Sequence, residues 1–377
     1  MERLYDKLKA YSESDFYAFH MPGHKRNKAL LGIELPYDLD ITEIDGFDDL
    51  HHADGILKEE QERAARVFGA EESHFLVNGS TAGILSAVMG CTHRGDKILV
   101  ARHCHKSIYH AIYMNGLVPR YVYPEFDISM HMNGEISKED VAKALAAEPD
   151  IKAVVIVSPN YDGVVSDVKG IAEVAHSYRI PLIVDEAHGP HFGFHPAFPG
   201  RANDLGADVV INSLHKTLPS LTQTAILHIN GKIVNRRRIK KYLDMLQSSS
   251  PSYIFMASLD ACVDFVDGKC ENAFELYVER LQKFREELEP LQHLQILRTE
   301  HYDISKVVIS TANANITSPE LADRLRKEYH LEMEMTGGTY VLAMTTVADT
   351  QEGLDRLKAA LLEIDGQLEA KQPFPEA

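Results

Sequence analysis

A lysine directly after a buried strand is costly to keep unless it is paired, neutralised or put to use. Lys216 holds such a place in INSLHKTLPSLTQ (Ile211 to Gln223), with Ser213 and His215 just ahead of it. It is a candidate to form a Schiff base with a carbonyl; the plain alternative is a surface lysine at a strand end. In PLIVDEAHGPHFGFH (Pro181 to His195), a predicted strand delivers Asp185 at its end, 31 residues before the lysine. Ligands of open α/β sheets bind beyond the carboxyl ends of the strands. A carboxylate there suits the ring nitrogen of pyridoxal phosphate, which it would keep protonated so that the ring draws electrons; a helix cap is the alternative. In HFLVNGSTAGILSAVM (His74 to Met89), the turn Asn78-Gly79-Ser80-Thr81 opens a helix. Its N–H groups, hydroxyls and helix dipole would face an anion such as a cofactor phosphate. Such turns also cap helices without a ligand, and this one is neither a Walker A loop nor a G-x-G-x-x-G. The three segments stand in the order phosphate turn, ring acid, lysine, which coincidence explains poorly.

These residues need strands and helices to hold them. Short apolar runs at His74 to Val77, Lys97 to Ala101, Ala153 to Val157, Pro181 to Val184 and Val209 to Ile211 read as buried strands. Helical spacing over Leu57 to Phe68, Thr81 to Met89, Lys106 to Met114, Lys138 to Ala147 and Val168 to Tyr178 alternates with them. Such alternation predicts an α/β fold with a mostly parallel sheet covered on both faces. Ala225 to Ile229 adds a strand after a loop. The boundaries predicted are an irregular N-terminal arm over 1–55, a large α/β domain over 56–250, a helical connection over 251–295 and a small α+β domain over 296–377. In the last, Lys306 to Ser310 reads as a strand, Ser318 to Tyr329 as a helix with Ser318 as N-cap, then two strands around Gly337-Gly338 and a helix over Gln351 to Leu368.

A chain of 377 residues with 45% hydrophobic and 25% charged residues is an ordinary folded protein of two or three domains, not a disordered or fibrous one. The net charge of −17 argues against nucleic acid and anionic membranes as partners and suits cationic ligands. Four cysteines without a C-x-x-C pair suggest neither a zinc ribbon nor a disulfide framework, and a reducing cytoplasm fits them. No apolar leader opens the chain and no stretch is long enough to span a bilayer, so neither export nor membrane insertion is expected.

Seven segments carry a resemblance across most of the length: HMPGHK (His20 to Lys25), DITEIDGFDDLH (Asp40 to His51), VNGSTAG (Val77 to Gly83), CHKS (Cys104 to Ser107), VDEAHG (Val184 to Gly189), SLHKTLPSLTQ (Ser213 to Gln223) and SSSPSY (Ser248 to Tyr253). In these the chain resembles the Orn/Lys/Arg decarboxylase family of fold type I pyridoxal-phosphate enzymes, in its short bacterial form. The resemblance implies decarboxylation of lysine, ornithine or arginine to an amine, in polyamine-related metabolism. It implies that Lys216 holds the cofactor, that Asp185 pairs with the ring nitrogen, and that Gly79, Ser80, Thr81, Ser213 and His215 serve the phosphate. His105 would stack on one ring face with Ala187 beneath the other, and His188 would lie near the ring oxygen or the substrate. A partner subunit would complete the site through Ser249 or Ser250, so at least a homodimer is implied.

Other features admit other readings. His188, His191 and His195 have a spacing that invites a metal, but the Gly-Pro and Gly-Phe interruptions suggest a loop, and no metal is assigned. Cys104 reads as a small packing residue beside the cofactor, not a nucleophile. The acids Glu43, Asp45, Asp48 and Asp49 could meet the distal cation of the substrate, or could form a solvated face. Arg236 to Lys241 reads as a helix face. Family decarboxylases continue into a further C-terminal domain with a Pro-Pro-Gly-type motif, which is expected to be absent from a chain ending in KQPFPEA. Its loss would bear on substrate closure. The alternatives are therefore another fold type I enzyme, an aminotransferase or lyase, or a cofactor-binding homologue without decarboxylase turnover.

Overall fold

The computed structural model describes residues 2–30, 32–128 and 131–371; the end of the small domain predicted over 296–377 thus lies partly outside them. The strands are β1 (Glu72–Leu76), β2 (Lys97–Ala101), β3 (Val118–Val122), β4 (Phe126–Asp127), β5 (Met132–Asn133), β6 (Ile151–Val157), β7 (Leu182–Asp185), β8 (Val209–Asn212), β9 (Ala225–Ile229), β10 (Gln295–Ile296), β11 (Lys306–Ser310), β12 (Met335–Thr336) and β13 (Tyr340–Met344). The helices are α1 (Leu4–Ser12), α2 (Ile56–Val67), α3 (Gly79–Cys91), α4 (Lys106–Asn115), α5 (Lys138–Ala147), α6 (Val168–Ser177), α7 (Leu214–Thr217), α8 (Arg236–Leu246), α9 (Tyr253–Val266), α10 (Glu271–Glu287), α11 (Ser318–Tyr329) and α12 (Gln351–Asp365).

Seven strands form the large sheet in the order β1-β9-β8-β7-β6-β2-β3. The central strands β7, β8 and β9 are buried at every position, as expected where helices cover both faces. Pairings from β8 through β7, β6 and β2 to β3 are parallel. Strand β9 runs against both its neighbours, β8 and β1. Its reversal leaves β1 pointing the same way as β8, so the turn after β1 and the lysine loop after β8 open on one edge of the sheet. One apolar layer packs α3, α4 and α8 on the sheet through Ile84, Ile108 and Ile239, and the other packs α5 and α6 through Val141 and Ile171.

A second sheet, β10-β11-β13-β12, is antiparallel. The loop after β6 ties it to the large sheet: Asp303 N–H donates to Gly163 O at 2.8 Å, Val165 N–H to His301 O at 2.8 Å, and the Tyr340 hydroxyl to Asp162 Oδ1 at 2.5 Å. Gly163 is required there, since its φ is +107° and a Cβ would come within 2.7 Å of the Lys306 side chain.

Three local expectations are corrected. The arm is not wholly irregular, because Leu4 and Leu8 are buried on α1, and Leu4 N–H donates to Asp260 Oδ2 on α9 at 3.0 Å. The helical connection expected over 251–295 is not one helix but breaks at Asp267 to Cys270, where Gly268 has φ +85°. The N-cap of α11 is Thr317, whose side chain and that of Glu320 form a reciprocal capping box, while the Ser318 hydroxyl donates to Gly337 O at 2.6 Å.

Candidate active site

The carboxyl ends of β1, β7 and β8 bring the three sequence segments to the same edge. Gly79, the first residue of α3, has φ +73°, a left-handed conformation that favours glycine and lets the chain turn directly from strand to helix. The Ser80 hydroxyl then meets the Ser213 hydroxyl across the gap left by β9. Ser213 is buried at the start of α7, and Thr81 is exposed on the first turn of α3. His215 donates from Nδ1 to Thr224 O at 2.9 Å.

Asp185 ends β7 and is 4% exposed. Its Oδ1 accepts the Ala187 N–H at 3.2 Å. Burial raises the Asp185 pKa, against the opposing pull of Lys216 and of that N–H group. A buried carboxylate of this kind is stabilised by a further cationic donor, as a protonated pyridine nitrogen would be. Lys216 Nζ lies 2.9 Å from His188 Nε2. Burial lowers the lysine pKa while Asp185 and Glu334 raise it. The His188 pKa falls well below the ordinary imidazole value, first through burial and then through Lys306 and Lys216. The residues present therefore fit pyridoxal phosphate: hydroxyls and N–H groups at a helix start, a buried acid, and a lysine held toward its free base.

His105 is the N-cap of α4, its Nδ1 accepting the Ser107 N–H at 3.3 Å and lying 2.8 Å from the Ser107 hydroxyl. Its pKa is lowered by burial and then by Lys216, which puts it in the field of the same site. Ser249 is exposed on the loop after α8, where the neighbouring Ser248 N–H donates to Asn78 Oδ1 at 3.1 Å.

The histidines of the H-x-x-H-x-x-x-H run turn to different partners. His191 meets Thr217 Oγ1 at 2.9 Å and Asp303 Oδ1 at 3.1 Å, while His195 meets Glu275 at 3.0 Å. Asp48 is engaged away from the lysines: its carboxylate accepts N–H groups from Asp49, Asp54, Gly55 and Leu57 at 2.8 to 3.1 Å and so caps α2. Burial pushes its pKa up, but these donors outweigh it and the result is lowered. Asp49 likewise accepts the His51 N–H at 2.9 Å.

Three residues at the site went unnoticed in the sequence. Lys306 Nζ lies 3.3 Å from His188 Nδ1. The Tyr161 ring lies over His188 with centroids 4.7 Å apart, and its hydroxyl bonds to Glu334. All three reach the site from the β6 loop or the small sheet, by contacts between positions far apart in the chain.

Comparison with known proteins agrees with this geometry. Residues 3–363 match the family model for the Orn/Lys/Arg decarboxylase major domain. The chain is 34% identical to the arginine decarboxylase of Bacillus subtilis (strain 168) over 380 residues, which covers 97% of this chain and 77% of that protein. It is 29% identical to the lysine decarboxylase LdcA of Pseudomonas aeruginosa over 286 residues, covering 67% of this chain and 38% of the other. The solved lysine decarboxylase LdcF of Francisella novicida superposes with a TM-score of 0.84 at 20% identity, covering 96% of this chain. The chain spans 60% of the length of that solved decarboxylase.

Proposed function

This chain belongs to the Orn/Lys/Arg decarboxylase family, and from that membership we propose that it removes the α-carboxylate of a basic amino acid, arginine foremost, with pyridoxal phosphate as cofactor. The observation that carries the reading is the convergence of Lys216, His188 and Asp185 at the carboxyl ends of β7 and β8. When bound, the cofactor supplies a cationic ring that takes up the electrons left by departing carbon dioxide.

The chain's own groups do the rest. Asp185 holds the proton on the ring nitrogen, and burial strengthens that pairing by excluding water. Gly79, Ser80, Thr81, Ser213 and His215 receive the phosphate at the start of α3. Lys216, kept toward the free amine by burial, would hold the cofactor, and once protonated on release from it would pass that proton to the former α-carbon, with His188 orienting its Nζ. His105 and Ala187 would flank the ring, where a flat imidazole would restrict its tilt. Glu334, whose charge acts on both Lys216 and Lys306, offers a counter-charge to the distal cation of the substrate. The capping roles of Asp48 and Asp49 favour it over those two acids of the arm.

The finer reading is a cytoplasmic homodimer serving polyamine-related metabolism. Exposed Phe16, Tyr17, Phe19 and Met21 on the arm suit a subunit contact, while the loop carrying Ser249 is tied by Ser248 to Asn78 of its own phosphate turn. The free thiols suit a reducing compartment, and no helix among the described residues is long and apolar enough to cross a membrane. Arginine, lysine and ornithine supplied separately to the cofactor-loaded chain test the substrate, with arginine expected to give the highest kcat/KM. No carbon dioxide from any of the three would refute the proposal.

A further inference from the structure

Lys306 is 0% exposed, on the first position of β11, and its ammonium has to be accommodated without water. Its Nζ reaches His188 Nδ1 at 3.3 Å, while His188 Nε2 reaches Lys216 Nζ at 2.9 Å. A neutral imidazole has one N–H to donate and one lone pair to accept with. Two ammonium groups cannot both be satisfied by it, so one of the two lysines stands as the free amine.

The surroundings decide which. Asp303 on the turn before β11 and Asp162 on the β6 loop favour the charge on Lys306, Glu334 before β12 favours it on both lysines, and Asp185 favours it on Lys216. Three carboxylates thus act on Lys306 and two on Lys216, which makes Lys306 the better seat for the proton. Tyr302 and Arg285 each donate to the Lys306 backbone carbonyl, at 2.9 and 2.8 Å. Burial lowers the Lys306 pKa to about 8, which leaves it able to give a proton near neutrality.

Resting on the functional reading above, we propose that Lys306 is a positioning residue that sets the protonation of Lys216 through His188. The Lys306 ammonium donates to Nδ1, and Nε2–H donates to the Lys216 amine. For transfer, Lys306 gives its proton to Nδ1 as Nε2 gives its own to Lys216. The imidazole begins and ends neutral, its N–H moved from Nε2 to Nδ1, and one positive charge passes from Lys306 to Lys216. The return path is the same in reverse. Lys306 is fully buried, with its stem packed against Gly163, and acts on Lys216 through His188.

The test is reductive methylation of the full-length, cofactor-free chain across a pH series, with labelling at Lys216 read by mass spectrometry. In Lys306→Met the labelling midpoint is expected to rise by about one pH unit or more. In a His188→Phe background the same substitution is expected to produce little further shift, because the link is gone. A midpoint that moves by less than about 0.3 unit in a folded Lys306→Met chain, or a shift that persists in full without His188, would overturn the proposal. Should Lys306→Met not fold, ¹⁵N shifts of His188 in the unaltered chain decide: a neutral ring protonated at Nε2 is expected, and an imidazolium or an Nδ1–H tautomer refutes it. Neither measurement needs turnover, so a failure of decarboxylation would overturn the functional reading and leave this result standing.

Discussion

Asp185 Oδ1 accepts the N–H of Ala187, two residues further along the chain, at 3.2 Å. This bond fixes the carboxylate at the end of β7 while leaving it the capacity to take a further donor. The residue that would underlie the cofactor ring thus also orients the acid that would hold the ring's proton. Conversion of Asp185→Asn keeps the shape and removes the charge. The cofactor is expected still to attach to Lys216, with kcat lowered on the order of 10²-fold or more. Steady-state rates beside the near-visible absorbance of the bound cofactor check this, and unchanged kcat would refute it.

Asp48 is a backbone cap, with φ +65° and its carboxylate spread over the start of α2. Asp48→Ala is expected to cost about 1–2 kcal/mol in denaturant unfolding. The KM for arginine is expected to stay unchanged in the folded variant; a selective rise in KM would return Asp48 to the substrate.

Arg63 bridges Glu60 Oε2 at 2.6 Å, Asp260 Oδ1 at 2.5 Å and Asp264 Oδ1 at 3.2 Å, and Asp260 also anchors α1. Arg63→Ala leaves buried acids without their cation and is expected to cost about 3–5 kcal/mol. Proteolysis at the α1 end should become faster along with the fall in unfolding midpoint.

Glu186 is buried and its pKa is raised to about 8, chiefly by burial, although it accepts the Ala202 N–H at 2.8 Å and Asn212 Nδ2 at 3.0 Å. Its folded pKa lies above the ordinary value of 4.5. The folded state therefore binds the extra proton, and this contribution to stability is complete below pH 4.5 and is lost as pH rises through about 8. Denaturant midpoints should decline across that window, and Glu186→Gln should flatten the decline. An identical slope in the variant would contradict the assignment.

Much of the site was legible because α/β chains put ligand chemistry at strand ends: Asp185 and Lys216 each follow a short buried run, and Gly79 opens a helix. His188, His191 and His195 read as a loop despite their spacing, and they turn to different partners because spacing within a loop does not say where each ring points. Lys306 and Glu334 were invisible as site residues because the burial of Lys306 beside His188 and the contact of Glu334 with Tyr161 arise only when the small sheet docks on the β6 loop. The acids of the arm admitted either a substrate or a solvated-face reading, and the cap formed by Asp48 was in neither, because it depends on a left-handed backbone that composition does not reveal. Strand β9 was visible as a strand, but its reversal, which brings Ser80 to Ser213, was not.

The account is tested most directly by turnover in deuterium oxide with arginine and the cofactor-loaded chain. It predicts carbon dioxide and amine in equal amounts, with one deuterium on the former α-carbon of the amine. A keto acid in place of the amine, or cofactor held at Lys216 with no carbon dioxide released, would contradict it.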